Sequence, residues 1–251
     1  MQREFGVLQT KDKAKIAYYH YKGDNDKLVV IAHGFYNSKD AVVLQELAKI
    51  LCADYDVIMF DFRGHGKSTG LFSWMSKENN DLETVIDYAR KKNYKKTGLI
   101  SFSIGASISI NTLSKSNDLD ALICVSPVSE FSQIDYNFWA LNWQEDLVYT
   151  LFNSEGRTGK GVRPGAFWLK KEKPIDNVSK LKIPTLFIHG LKDWVIAPRH
   201  SKELYEKTTA VKKLLMIENG PHAEYMMKDF KDIFIKEVKD WFKEHLNKEE
   251  E

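Results

Sequence analysis

Two cysteines in 251 residues exclude a disulfide framework or a multi-cysteine metal site as the organising device of this chain. Cys52 and Cys124 lie in or beside apolar stretches with no C-x-x-C partner, so both are expected as buried free thiols. Net charge is also nearly absent. The 37 Lys and Arg against 35 Asp and Glu leave +2, and the lysines are dispersed, so no nucleic acid or anionic membrane is expected as a partner. Apolar runs of membrane-spanning length are missing, and Met-Gln-Arg-Glu-Phe-Gly lacks a signal-peptide core. No membrane span is expected, and a cytoplasmic location is the simplest expectation. No internal repeat is visible, and low complexity is confined to the closing Lys-Glu-Glu-Glu, read as a frayed, solvated tail.

What is present is a hydrophobic content of 43%, ordinary for a globular domain with a large core, and a regular rhythm of elements. Two alternating segments, Phe5–Gln9 and Lys15–His20, read as antiparallel edge strands. Leu28–His33 is a continuous apolar run, as expected of a strand buried on both faces. A helix is predicted over Ala41–Leu51, a strand over Val57–Asp61, a helix over Leu82–Lys91, and a strand running into Ser101-Phe-Ser103-Ile-Gly105. Further strands are predicted at Leu119–Val125, Thr185–His189 and Leu214–Ile217, with an amphipathic helix over Phe230–Leu246. Strands alternating with helices predict an α/β fold: one domain over residues 1–251, a mostly parallel sheet with helices on both faces. The gap between Pro127 and Ile183 is too long for an ordinary connection and predicts an insertion with structure of its own.

Three polar side chains fall where parallel strands should end. Ser103 follows one strand, Asp193 follows Leu186-Phe-Ile-His-Gly-Leu-Lys, and His222 follows the last strand in Asn219-Gly-Pro-His. Loops at the carboxyl ends of such strands meet at one crevice. A strand–turn–helix with serine at its apex lifts the hydroxyl out of the sheet, although Ser101 stands where G-x-S-x-G has its first glycine. A serine hydroxyl needs a base to take its proton, and a neutral imidazole can do so. A carboxylate then holds the ring and stabilises the imidazolium. Each residue has a blander reading, Asp193 as a turn residue and His222 as a helix start, but their common order and common sheet edge favour a Ser103–Asp193–His222 triad. His33-Gly34-Phe35 ends the first central strand. It can supply the Phe35 N–H to a developing oxyanion opposite the N–H of Ile104, and His33 itself reads as structural.

Asp61-Phe-Arg-Gly-His-Gly-Lys-Ser-Thr-Gly70 imitates two phosphate-binding motifs and completes neither. Asp61 stands where a P-loop needs glycine, and Thr69 where a dinucleotide fingerprint does. His222-Ala-Glu224 resembles a zinc-deaminase fragment without its P-C-x-x-C. Neither a metal site nor a cofactor is expected.

With His33-Gly34-Phe35, Asp61 to Ser68, Ser101 to Gly105, Ile188 to Asp193 and Pro221-His222 in view, the chain resembles the α/β-hydrolases. The resemblance runs from about Leu28 to Trp241, leaving out the segment near 130–175. Within the superfamily the chain is most similar to the serine-aminopeptidase-like group, which includes monoacylglycerol lipases and cinnamoyl or feruloyl esterases. That resemblance implies the Ser103–Asp193–His222 triad, oxyanion donors from Phe35 and Ile104, no cofactor, and an architectural role for Arg63-Gly-His-Gly. It also implies that the insertion, approximately 129–175, sits over the serine as a cap. The insertion is rich in rings, among them Phe131, Tyr136, Trp139, Trp143, Phe167 and Trp168. Trp139, Trp143 and Trp194 are the candidate substrate-binding residues, the alternative for the insertion's rings being that they form the cap's own core. The basic loop from Arg157 to Arg163 reads either as a solvated turn or as a site for a substrate anion.

The function these readings predict is a serine carboxylic-ester hydrolase, acting through an acyl-enzyme on a small or medium, apolar or aromatic ester. An acyltransferase or small peptidase with the same triad, and a ligand-sensing protein on a hydrolase fold, stand as alternatives. Acyl and alcohol specificity, and the oligomeric state, stay open at this level.

Overall fold

The structure, a computed structural model, describes residues 2–131 and 162–247. Eight strands form one sheet: β1 (Gln2–Gln9), β2 (Lys15–Lys22), β3 (Lys27–Ala32), β4 (Asp56–Phe60), β5 (Lys96–Phe102), β6 (Ala121–Val125), β7 (Thr185–Gly190) and β8 (Lys212–Ile217). Their spatial order is β1-β2-β4-β3-β5-β6-β7-β8. The β1–β2 and β2–β4 pairs are antiparallel, and every other pair is parallel. The α/β-hydrolase fold expected from the motifs is therefore present.

The central strands read as unbroken apolar runs because both faces are covered. In β3, Leu28, Val30 and Ala32 join one core while Val29 and Ile31 join the other. In β6 the split is Leu122 and Cys124 against Ala121, Ile123 and Val125. Helices α2 (Glu78–Arg90), α3 (Ile104–Ser116) and α5 (Arg199–Lys207) cover the first face, joined by the one-turn α4 (Pro174–Asn177). Helices α1 (Val42–Leu51), α6 (Met226–Asp229) and α7 (Lys231–Leu246) cover the second. Helix α3 is buried from Ile104 to Ser114, and its small residues let it sit between the sheet and α2. Among the described residues no helix is long and apolar enough to cross a membrane.

Three local expectations need correction. Of the two N-terminal strands only β1 lies at an edge, whereas β2 is interior, with Ile16–Tyr21 buried. Its apparent polar alternation rests on Tyr18 and His20, whose ring bodies are covered by Tyr88 and Tyr94. Helix α2 begins at Glu78 rather than near Leu82, because its polar first turn is consumed internally. The Glu78 carboxylate accepts from the Ser73 N–H, the Ser73 hydroxyl and the Met75 N–H. Cys52 is half-buried at the end of α1, while Cys124 is buried as expected.

The loop after β4 is held by charge. The Arg63 backbone N–H donates to Asp81 Oδ2 at 2.9 Å, and its Nη2 lies 2.7 Å from Asp81 Oδ1. The same guanidinium reaches Asp12 at 2.6 and 2.9 Å. Asp61, the residue that ruled out a P-loop, is buried beneath this loop. Its two oxygens accept from the N–H groups of Lys39 and Lys67 at 2.7 and 2.8 Å, and the buried Lys39 ammonium lies 3.0 Å away.

Substituting Arg63 by Ala strands Asp81, whose side chain is fully buried, and is expected to destabilise by about 3–5 kcal/mol, the range for breaking a buried ion pair. Asp12→Asn is expected to cost about 1 kcal/mol or less, because Asp12 is 34% exposed and solvent screens the pair. Urea unfolding of the two variants checks the ordering; equal losses would refute it.

Candidate active site

Ser103 sits between β5 and α3 with φ 52° and ψ −124°. A non-glycine residue in this region is strained, and the surroundings must over-determine it. They do so through backbone. The Ser103 N–H donates to the Val125 carbonyl at 2.8 Å, and the Ser103 carbonyl accepts from Ala106 at 3.0 Å. The glycine two residues on is obligatory, since a Cβ on Gly105 would stand 2.3 Å from the His33 carbonyl oxygen. Ser101 fits at the position usually held by glycine because its buried hydroxyl reaches the Ile123 carbonyl at 3.2 Å.

The three sequence-predicted side chains meet. The Ser103 hydroxyl lies 3.0 Å from His222 Nε2, and His222 Nδ1 lies 2.7 Å from Asp193 Oδ2. Asp193 stands in the turn after β7, where its Oδ1 accepts from the N–H groups of Val195 and Ile196 at 2.9 and 2.8 Å. The turn reading of Asp193 is thus correct for one oxygen, which leaves the other for His222. The turn is tied to the His222 loop through the Lys192 N–H, which donates to the Gly220 carbonyl at 3.0 Å. A Cβ on Gly190 would fall 2.1 Å from that same carbonyl, so only glycine lets the two segments close.

Two anchors of His222 escape a reading by motif. The Ser126 hydroxyl, at the end of β6, accepts from the Ala223 N–H at 3.1 Å. Asn37 donates to Glu224, which is buried and two residues beyond His222. Neither residue carries a motif; the only available signal is position at a carboxyl strand end.

Phe35 and Ile104 flank the serine. Ile104 follows it directly, and the space where a Gly34 side chain would begin lies 3.2 Å from Ser103 Cβ. Among the described residues neither the Phe35 N–H nor the Ile104 N–H has a hydrogen-bond partner. His33 explains how the first is aimed. Its Nδ1–H donates to the Gly34 carbonyl at 2.6 Å, while its Nε2 accepts the Phe62 N–H at 3.0 Å. The Gly34 carbonyl and the Phe35 N–H belong to one planar peptide and point in opposite directions, so holding one orients the other. Burial keeps His33 well below the ordinary histidine value, so it remains neutral and in the tautomer this arrangement needs.

Of the candidate substrate-binding residues, Trp139 and Trp143 lie outside the described residues, as do Arg157 and Lys160. Trp194 is half-buried beside Asp193 and has no ring contact or indole hydrogen bond among the described residues. A separate aromatic cluster, built mostly from residues before the insertion, adjoins Phe35. Trp74 stacks on Phe35 with ring centroids 4.8 Å apart, and meets Phe72 at 5.4 Å and Phe131 at 5.9 Å. Trp74 and Met75 both have positive φ, 57° and 75°, a pair held in place by the Glu78 bonds. The signal was Phe72-Ser-Trp74, just past the glycine-rich loop. The flanks of the insertion meet where the Ile175 N–H donates to the Ser129 carbonyl at 3.0 Å. Arg163 binds carbonyls of the same glycine-rich loop, including that of Ser68.

Comparison with known families agrees with this fold. The profile described as serine aminopeptidase, S33, matches residues 23–156, more than half of the chain. The chain belongs to the S33 family of α/β-hydrolases. A second profile, X-Pro dipeptidyl-peptidase (S15 family), matches residues 161–224 of this S33 member. Uncharacterized protein YfhR of Escherichia coli is 26% identical over 202 residues, covering 77% of this chain and 62% of YfhR. The chain thus spans less than two thirds of the length of that relative. Caffeoylshikimate esterase of Arabidopsis thaliana is 32% identical over 115 residues, 43% of this chain and 34% of that protein. Among solved structures, an esterase of Pyrococcus furiosus superposes with a TM-score of 0.76 at 21% identity, over 97% of this chain and 93% of the esterase.

Burial works against a charged His222, but the Asp193 charge and hydrogen bond, with a further contribution from Glu224, raise its pKa above the ordinary 6.5. Below that pKa the ring is an imidazolium and cannot take the Ser103 proton; above it the ring is neutral. The rate at which a fluorophosphonate labels Ser103 is therefore expected to rise with pH through one group titrating above 6.5, then level off. A rate independent of pH from acid to neutral in folded protein would refute the assignment of His222 as base.

Proposed function

We propose that this S33 family member is a serine hydrolase of carboxylic esters. The observation that carries the reading is the hydrogen-bonded row Ser103–His222–Asp193, with Ser103 on a strained turn beside two N–H donors that have no partner among the described residues. In the proposed reaction neutral His222 takes the Ser103 proton as Oγ attacks the ester carbonyl. The resulting oxyanion is held by the Phe35 and Ile104 N–H groups. Asp193 stays ionised: burial opposes this, but the His222 charge and the His189 and His222 hydrogen bonds outweigh it and hold its carboxyl below the usual range. The imidazolium is thereby stabilised opposite a carboxylate. It then protonates the departing alkoxide, which leaves as alcohol and yields the Ser103 acyl ester. Water, deprotonated by the same ring, hydrolyses that ester, and the serine regains its proton.

Two names among the similar proteins, caffeoylshikimate esterase and the Pyrococcus furiosus esterase, support an ester over a peptide. An apolar or aromatic acyl or alcohol group is supported by the Phe35, Trp74 and Phe131 rings, which adjoin the residue whose N–H faces the oxyanion. The segment 129–175 is retained in this proposal as the cap that completes the substrate pocket.

Ser103→Ala is expected to abolish fluorophosphonate labelling and to lower esterase kcat by several orders of magnitude, while Ser101→Gly keeps both. Labelling that survives in Ser103→Ala would refute the nucleophile. Assays with and without an added alcohol acceptor separate hydrolysis from acyl transfer, and labelling without turnover would point to a ligand sensor. Trp74→Ala is expected to raise KM for naphthyl or cinnamoyl esters about threefold to tenfold relative to p-nitrophenyl acetate, from lost ring contacts. Equal losses for both esters would show that Trp74 serves the loop alone.

A further inference from the structure

Asp193 Oδ2 has a second imidazole beside it. His189, the penultimate residue of β7, is fully buried, and its Nε2 lies 3.2 Å from the same oxygen that meets His222 Nδ1. Its Nε2 also stands 2.9 Å from the Ile196 carbonyl, and its Nδ1 is 2.6 Å from the Ser201 hydroxyl in the first turn of α5. With two acceptors at Nε2 the proton must sit there, so Nδ1 accepts from Ser201. Three N–H groups thus bond the Asp193 carboxylate, Val195 and Ile196 on Oδ1 and His222 on Oδ2, and the His189 Nε2–H, bonded to the Ile196 carbonyl, stands 3.2 Å from Oδ2 as a fourth, flanking N–H dipole.

We propose that His189 is a positioning residue of this site, which holds the Asp193 carboxylate in line with His222 and takes up part of the charge on the oxygen they share. Among the described residues Oδ2 is otherwise held only by the ring of His222, itself on a loop; a buried imidazole with its Nε2–H dipole 3.2 Å from Oδ2 limits rotation about the Asp193 Cβ–Cγ bond. The imidazole does not reach the reacting atoms and acts through Asp193. Because it draws on Oδ2, it also moderates how strongly Asp193 favours the imidazolium form of His222. The ionisable groups facing the pair are His189 and His222 around Asp193, and Asp193 and Glu224 around His222. Helix α5 braces the arrangement from behind. Next to Ser201 it carries His200 and Glu203, which reach the Ser129 hydroxyl at 2.7 and 2.8 Å, so one helical turn joins the Asp193 turn to the base of the insertion.

This inference rests on the proposed serine-hydrolase reading, and the experiment separates the two. Ser103 labelling by a fluorophosphonate and kcat/KM for p-nitrophenyl acetate are measured across about pH 5 to 9, with melting temperature, in wild type, His189→Leu, His189→Gln and Ser201→Ala. Leu has no donor, so the acid limb is expected to move up by about half a pH unit and the plateau to fall about tenfold. Gln presents an amide N–H near the position of Nε2 and is expected to restore most of the wild-type profile. Ser201→Ala, which releases the tautomer, moves the limb in the same direction by less. A limb and plateau unchanged in His189→Leu, with only the melting temperature lowered, overturns the inference. Should that variant not fold, a Ser201→Ala profile superposing on wild type overturns it instead. Wild type that is not labelled at Ser103 overturns the hydrolase reading itself, an outcome distinct from labelled wild type with indifferent variants.

Discussion

The site depends on how closely two neighbouring strands deliver their carboxyl ends. Strands β3 and β5 are paired in parallel register with Ala32 opposite Ser101, so the chain leaves both at the same height. Each then turns within three residues, β3 into His33-Gly34-Phe35 and β5 into Ser103-Ile104-Gly105. The turns can coexist only because side chains are missing where they cross. Gly105 lies under the His33 carbonyl, and the Gly34 position opens onto Ser103 Cβ. Close packing leaves no room for adjustment at such a crossing. The strained φ of Ser103 follows from this crossing, and it directs the hydroxyl at His222 while its neighbouring N–H remains available.

The same side chain type does several jobs here, and the partner of each ring nitrogen decides which. His33 and His65 are buried against backbone, and burial keeps both on the neutral side, His65 down to about 4. His33 aligns the Gly34–Phe35 peptide from one side, and His65 Nε2 meets the Phe35 carbonyl. His222 is equally buried but faces Asp193 and Glu224, which reverses the direction of its shift. One low-dielectric region thus holds neutral imidazoles that orient backbone beside a ring poised to accept a proton. Desolvation is common to all three; nearby cations, Lys39 for His33 and Arg163 for His65, add to it, whereas Asp193 and Glu224 overcome it at His222.

Much of this was legible before any coordinates. The central strands were readable because burial on both faces turns a strand into an unbroken apolar run, as in Leu28-Val-Val-Ile-Ala. Ser103, Asp193 and His222 were readable because parallel topology sends carboxyl strand ends to one edge. What hid from the sequence was polar chemistry internal to the fold. Glu78 and Asp81 look like a solvated first helical turn, yet they are buried because Ser73, Met75 and Arg63 saturate them. Tyr18 and His20 look like the wet face of an edge strand, yet Tyr88 and Tyr94 cover them. Trp74 is marked only by Phe72-Ser-Trp74 beyond the glycine-rich loop, and its place against Phe35 follows from two positive φ angles that this short pattern does not convey.

Asp193 shows why competing readings of a single residue need not compete. As a turn residue it accepts two backbone N–H groups on Oδ1, and as a partner of His222 it accepts on Oδ2. A carboxylate has two oxygens with about four acceptor sites, so satisfying the turn does not exhaust it. The turn bonds anchor Oδ1, and the contacts of His222 and His189 with Oδ2 complete the orientation of the group. The ordinary requirement of folding, that a buried turn satisfy its donors, therefore supplies the geometry that the proposed proton transfer from Ser103 requires. In the proposed triad the acid has no scaffold of its own: a strand end, a turn and a saturated carboxylate hold it, and the His222 loop is brought against them. The Gly190–Gly220 contact does this, and it is backbone against backbone, leaving neither segment free to drift.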